Sequence, residues 1–228
     1  MFLLSGTRFL ADKNMAGDFL MLGLCKRMEV PFLRFYSWAE RSATCGYSQS
    51  ARDFSKESLR GLERLVRRPV GGGLVIHEQS DLTYALAVPA RHAFFLTRPA
   101  QSYAILHRTI ALCLADFDCA CVLNAADSPK ASGASQCFRD PSRDDLMLAS
   151  SPRKLAGAAQ RRTRDGLLIQ GSIKLPEGLL KSRGPIVEGL AQAFCGMLNS
   201  KLERADFFDF ISEAELRKAA ENFKFAAL

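Results

Sequence analysis

The chain has 228 residues, 48% hydrophobic and 24% charged, with 31 Lys and Arg against 24 Asp and Glu and a formal net charge of +7. That length and balance let a core form without disulfides or a metal, and they exclude a wholly disordered chain; 16 glycines and 9 prolines exclude one long coiled coil. The basic excess suits an acidic partner, protein or nucleic acid, without choosing between them.

The opening M-F-L-L-S-G-T-R has a faint signal-peptide look, but it lacks a basic leader, and Arg8, Asp12 and Lys13 break its apolar run. The apolar stretch over 19–25 is far short of the roughly 20 residues of a membrane span. Seven cysteines, an odd number at irregular spacing, argue against a disulfide framework and for a reducing compartment. The expectation is a cytoplasmic protein with no membrane partner.

Met15, Phe19, Leu22 and Cys25, three or four apart, predict an amphipathic helix over 14–27. Aromatic-rich 32–38 and then 43–47 read as strands. Ser55 is placed to cap a short helix reaching about Leu65. Three adjacent glycines follow in a loop, and 74–77 and 83–88 read as buried strands. Tyr103, Leu106, Ile110 and Leu114 share one face of a helix over 101–114. A strand over 117–123 leads into a loop over 124–136, marked by Ser-Pro and Ser-Gly. Three short strands are predicted over 145–149, 154–161 and 167–173, then helices over 186–201 and 213–223. No internal repeat and no compositional boundary is visible. This reads as an α+β single domain, 1–228, with a mixed β-sheet and helices packed on its faces, and with 176–228 a helical C-terminal segment.

Three adjacent glycines, Gly71, Gly72 and Gly73, are the usual mark of backbone that only glycine suits, either a tight turn or a loop whose bare amides approach a phosphate or carbonyl oxygen. The loop is neither a P-loop nor a dinucleotide fingerprint. Cys119 and Cys121, two apart on a strand, face one side and read as buried small residues, since zinc-ligand spacing is missing. His92 and His107 match no motif, and His107 reads as a solvated or packing residue. The basic run Arg161, Arg162, Arg164 lacks aromatic interleaving, so no nucleic-acid partner is expected; it fits an acidic protein surface or a solvated strand edge. The phenylalanines at 207, 208, 210, 223 and 225 are expected to pack back on the domain.

The segment R-R-P-V-G-G-G-L-V-I-H, 67–77, resembles the signature of the lipoate-protein ligase A and octanoyltransferase family. N-M-A-G-D, 14–18, is similar to that family's first-helix motif. L-R-F-Y-S-W, 33–38, with G-Y-S-Q, 46–49, is similar to its early strand pair. R-K-L-A-G-A-A-Q-R-R, 153–162, with G-L-L-I-Q-G-S-I, 166–173, is similar to its lysine motif and following strand. Four fragments in one order are specific where each alone is weak. Val70 stands where the family usually has Ser or Thr, a lost hydroxyl that bears on substrate choice, and Glu78 stands where Asp is common.

The resemblance implies a biotin/lipoate protein ligase-like fold and an enzyme that attaches lipoate or octanoate to one lysine of a lipoyl domain or of the glycine-cleavage H protein. It implies Lys154 as the catalytic lysine, and Arg68, Gly71, Gly72, Gly73, His77, Gly157 and Ala158 as acyl-binding residues. S-Q-C-F-R-D-P-S, 135–142, resembles the cysteine motif of Gram-positive-type octanoyltransferases, which makes Cys137 the candidate nucleophile. A thiolate beside a lysine suits thioester exchange with an acyl carrier protein donor. That route needs no cofactor and no metal. The alternative is a ligase that uses ATP and Mg2+ to make an acyl-adenylate, with Cys137 incidental. About 55 residues follow Ile173, too few for the accessory domain such ligases carry. A third possibility is an inactive module that binds lipoate or a lipoyl domain. A monomer is the default.

Overall fold

The computed structural model describes residues 1–126 and 138–225. In chain order the elements are β1 (Phe2–Phe9), α1 (Ala11–Met28), β2 (Phe32–Trp38), β3 (Ser42–Cys45), β4 (Arg64–Arg67), β5 (Val75–His77) and β6 (Leu82–Pro89). The helices α2 (Ala93–Leu96) and α3 (Pro99–Ala115) follow, then β7 (Cys121–Leu123), β8 (Leu146–Leu148), β9 (Lys154–Thr163) and β10 (Gly166–Ile173). The chain continues through α4 (Arg183–Met197), β11 (Glu203–Ala205) and α5 (Glu213–Ala220).

Among the described residues these strands form two sheets. The larger has the order β11-β1-β2-β6-β10-β9-β8-β7, and the smaller is β4-β3-β5. The large sheet is mixed, as expected: β11, β1 and β2 run parallel, and every later neighbour is antiparallel. Side chains alternate across it. Leu167 and Ile169 of β10 join Leu33, Leu86, Leu106, Ile110 and Phe194 in a core under α3 and α4. Leu168, one residue out of phase, joins Met15, Met21, Phe32, Trp38 and Phe207 in a second core under α1 and α5. The two-faced burial explains why β2, β6 and β10 read as nearly continuous apolar runs.

The predicted helix over 55–65 does not form. Ser55 Oγ does accept the amide of Ser58, at 3.2 Å, but the bonds that follow are single turns, Leu59 to Lys56 and Arg60 to Glu57. Gly61 then takes a left-handed φ of 72°, which stops any helix, and the next residues pair as β4 with β3. The opening residues form β1 between β11 and β2. The C-terminal segment is not wholly helical, because β11 adds a strand to the sheet edge. Its phenylalanines do pack back: Phe207 against Phe9, Phe210 against Phe2 and Phe32, and Phe223 against Phe19. No helix among the described residues is long and apolar enough to cross a membrane.

The N-M-A-G-D segment has a packing explanation. Arg34 of β2 is fully buried. Its guanidinium lies 3.2 Å from Asp18 Oδ1, donates to Asn14 Oδ1 at 2.6 Å and to Thr7 Oγ1 at 3.2 Å, and covers the Tyr36 ring at 4.1 Å. Asn14 and Asp18 stand one helical turn apart, so both face Arg34. Gly17 lies between them, where a Cβ would fall 2.3 Å from an Arg34 nitrogen. Asp18 also accepts from Tyr36 Oη at 2.8 Å and from Gln170 Nε2 at 2.5 Å, tying β10 to α1. Removing one partner of such a pair strands a buried charge. Asp18→Ala is therefore expected to lower unfolding stability by about 3–5 kcal/mol, read as a lower urea midpoint at unchanged slope; an unshifted midpoint would contradict the assignment.

Candidate active site

A cavity of about 270 Å³ opens where the glycine loop and β5 lean over β10 and β9. Met15, Tyr36 and Trp38 line one wall, Gly72, Gly73 and Val75 the lid side, and Gly157, Ala158 and Ala159 the β9 side. Tyr103 and His107 of α3 also line it, with Phe138, Asp145 and Lys154.

The glycine loop is held by Arg68, which is buried. Its Nε donates to Gly71 O at 3.0 Å. One terminal nitrogen donates to Gly71 O and Gly73 O, each at 2.7 Å, and the other to Thr44 O at 3.0 Å and Thr44 Oγ1 at 3.1 Å. A guanidinium has five N–H groups, and five bonds are made among the described residues. Arg68 thus shapes the cavity by fixing loop carbonyls. Gly72 takes a left-handed φ of 92°, and a Cβ on Gly46 would fall 2.0 Å from Gly72 O. The G-Y-S-Q segment and the glycine loop are therefore one packing unit, joined also by Tyr47 N to Val70 O at 2.8 Å.

His77 ends β5 facing inward. Its ring stacks on Trp38 with centroids 3.8 Å apart, and Nε2 lies 2.9 Å from Thr44 Oγ1. Nδ1 faces the Asp81 carboxylate at 3.9 Å, which favours the proton on that nitrogen. Burial, with Lys174 and Arg68 nearby, holds its pKa well below the usual imidazole value, so the ring is neutral at pH 7.

Lys154 opens β9 and is buried. Its Nζ lies 2.6 Å from Asp145 Oδ2, and that carboxylate also accepts the Ser142 amide at 2.6 Å. Gly157 leaves room for the pair, since a Cβ there would fall 2.5 Å from Lys154 Cε and 3.1 Å from Asp145 Oδ1. A second pair, Lys174 Nζ to Asp81 Oδ2 at 2.9 Å, stands nearby. The Phe138 ring is close to both cations, its centroid 5.2 Å from Lys154 Nζ and 4.9 Å from Lys174 Nζ.

The sequence candidates Arg68, Gly72, Gly73, His77, Lys154, Gly157 and Ala158 all line this cavity. Gly71 does not; it contributes its carbonyl to Arg68, and a Cβ there would meet open space. Cys137 lies outside the described residues, although its neighbour Phe138 lines the cavity. Val70 is fully buried in the core under α1, so its missing hydroxyl does not face the cavity. Sequence reading missed Asp145, Lys174, Asp81 and Tyr103, and took His107, which is buried, for a residue without a site. Arg161 and Arg162 are tied down, Arg161 to Pro69 O and the Tyr47 ring, Arg162 to Ser102 and Phe95 O. Cys119 and Cys121 hold their sulfurs 3.9 Å apart. Among the described residues no cluster of three His, Cys, Asp or Glu side chains is placed to hold a metal ion.

A family model described as the lipoyl protein ligase A/B catalytic domain matches residues 13–176. The octanoyltransferase LipM of Carboxydothermus hydrogenoformans is 34% identical over 170 residues, covering 72% of this chain and 61% of that protein. LipM of Staphylococcus aureus is 31% identical, covering 70% and 60%. The chain thus spans about three fifths of the length of these curated relatives. Among solved structures, a lipoate-protein ligase A bound with ATP superposes with a TM-score of 0.70 at 17% identity, covering 97% of this chain and 92% of that one. A bipartite lipoate protein ligase from Thermoplasma acidophilum gives 0.64 at 18%, covering 97% and 90%. At such identities the structures establish the fold, which is biotin/lipoate ligase-like.

The neutral His77 has a consequence for stability. Below the ordinary imidazole value of 6.5 the unfolded chain binds a proton that the folded ring refuses. Its contribution is full above about pH 6.5 and is lost as pH falls toward the folded pKa, at up to about 1.4 kcal/mol per pH unit. His77→Gln is expected to flatten the fall in stability between pH 7 and 5 relative to the parent chain, as measured by urea midpoints. Parallel curves would show that the ring protonates in place.

Proposed function

Because the chain belongs to the lipoyl protein ligase A/B catalytic-domain family, we propose that it transfers an octanoyl or lipoyl group from a carrier-protein thioester to one lysine of a lipoyl domain or H protein, through Cys137. The observation that carries this reading is Phe138, the residue bonded to Cys137, seated in the cavity with its ring 5.2 Å from Lys154 Nζ. Octanoyltransferases as relatives at 31–34% identity support the same chemistry.

In the first step the Cys137 thiolate attacks the thioester carbonyl carbon, a new C–S bond forms as the carrier's C–S bond breaks, and the carrier leaves as a thiolate that takes up the proton Cys137 gave to solvent on ionising. In the second step the acceptor amine attacks the acyl-cysteine, a C–N bond forms, the C–S bond breaks, and the cysteine thiol is regenerated. Lys154 stands where its ammonium can stabilise the oxygen that takes negative charge in both steps. Asp145 fixes the direction of that ammonium, and Gly157 leaves space for it. The glycine loop, braced by Arg68, and the β9 alanines form the walls for the acyl chain. Activation energy is carried by the donor thioester, so this route takes no ATP. The donor is an acyl carrier protein, and the enzyme works as a cytoplasmic monomer.

Two donors separate this from ligase chemistry. With octanoyl carrier protein and no ATP, intact-protein mass spectrometry is expected to show a hydroxylamine-labile acyl adduct that disappears in Cys137→Ala. Modification of a lipoyl domain only with free octanoate or lipoate, ATP and magnesium would overturn the thioester route. Modification by neither donor, with binding retained, would leave a binding module. Lys154→Ala is expected to lower transfer by about a hundredfold or more, with near-normal turnover contradicting its role.

A further inference from the structure

β4 is the outer strand of the small sheet, and it runs directly into Arg68 and the glycine loop. Among the described residues its one neighbour in that sheet is β3, in parallel. An uncovered outer edge leaves backbone donors and acceptors unpaired. Residues 223–225 lie on that edge. Lys224 bridges antiparallel to Val66. Phe223 meets the Phe19 ring of α1, with centroids 5.9 Å apart, and packs on the core under α1 and α5. Phe225 packs instead on the small sheet's own cluster of Ala43, Cys45, Phe54, Leu65 and Leu74. The Arg67 guanidinium covers its ring, 5.0 Å from the centroid.

Two rings two residues apart thus tie two cores together at the root of the glycine loop. The held strand residues, Val66 and Arg67, come just before Arg68. Across the sheet one row runs Lys224, Val66, Thr44, Val75. Thr44 is the residue that Arg68 grips through its carbonyl and its hydroxyl, and Val75 lines the cavity. The loop carbonyls stay on Arg68 only while these strands hold their places. The strands are three or four residues long, so their own pairing holds the sheet weakly. A brace on the outer strand therefore bears on where the loop sits.

We propose that residues 223–225 are a strap that seats the small sheet against α1 and so fixes the glycine loop over the cavity, with Phe225 its positioning residue. Phe225 acts through Arg67, and Lys224 acts through Val66. One half-buried ring and one bridge are a small part of the stability of the whole fold, so releasing them loosens the small sheet locally and leaves the large sheet closed. The consequence for catalysis rests on the acyl-transfer reading above, because the loop forms a wall for the acyl chain in that reading. The position of the loop does not depend on it.

Native-state hydrogen exchange of Phe225→Ala, with Phe225→Tyr as the conservative control, tests the strap. Two amides report on the loop: Tyr47 N, which donates to Val70 O at 2.8 Å, and Arg68 N, which donates to Cys45 O at 2.9 Å. Leu168 and Ile169 of β10, paired on both sides, report on the large sheet. In Phe225→Ala the loop amides are expected to exchange about tenfold faster, with the β10 amides unchanged. Phe225→Tyr keeps the aromatic face and is expected to restore the parent rates. Unchanged exchange at Tyr47 and Arg68 would overturn the proposal. Equal acceleration at all four amides would also overturn it, because the ring would then serve overall stability alone. In transfer assays Phe225→Ala is expected to raise KM for octanoyl carrier protein about fivefold at little-changed kcat; an unchanged KM with a loosened loop would overturn the strap's part in catalysis. A parent chain that modifies no lipoyl domain with either donor removes the acyl-transfer reading, an outcome distinct from any result of the exchange measurement.

Discussion

A buried guanidinium must find acceptors for five N–H groups, and Arg68 directs three of its hydrogen bonds to the backbone of the loop that follows it. For carbonyls three and five residues downstream to turn back onto one side chain, the chain must reverse sharply. The left-handed Gly72 makes that reversal, and Gly46 on the neighbouring segment leaves room for its carbonyl. Two motifs that are twenty residues or more apart are therefore one constraint. The same guanidinium reaches Thr44, and Thr44 reaches His77, so the wall of the cavity is set by a continuous chain of hydrogen bonds.

The fold was legible where local pattern and tertiary context agree. The aromatic run of β2, the continuous apolar runs of β6 and β10, and the periodicity of α1 and α3 all read correctly, because each buries a face that its own sequence defines. The failures have physical causes. β1 and β11 are parallel partners that meet across some two hundred residues, and no local signal announces such a pairing. The stretch after Ser55 has a cap and alternating charge, yet β4 gains more by pairing with β3 than by extending a turn.

The candidate site was legible in part, for a related reason. Lys154, Gly157 and the glycine loop stand out because a resemblance marks them, and glycine where a Cβ cannot fit is a signal that the sequence preserves. Their partners carry no such mark. Asp145 is one of 24 acidic residues, and nothing near it in sequence says that it will meet Lys154 across a strand connection. Lys174 and Asp81 are separated by most of the β6-to-β10 region. His107 sits on a helix whose apolar face was read correctly, but the carbonyl that orients it comes from a different segment.

Burial also sorts the charges of the cavity. Each lysine near Phe138 is matched by a carboxylate at hydrogen-bond distance, which offsets desolvation that neither ion could bear alone. Neither imidazole beside them has a carboxylate at hydrogen-bond distance, Asp81 standing 3.9 Å from His77 Nδ1, and burial lowers the pKa of both. The outcome is a cavity with fixed donors, fixed lone pairs and small side chains along β9. Donors held in place before reaction need no reorganisation when charge develops on an acyl oxygen, and in a dry site they act more strongly than in water. The glycine at 157 is the condition for that arrangement, because any side chain there would push Lys154 away from the carboxylate that aims it.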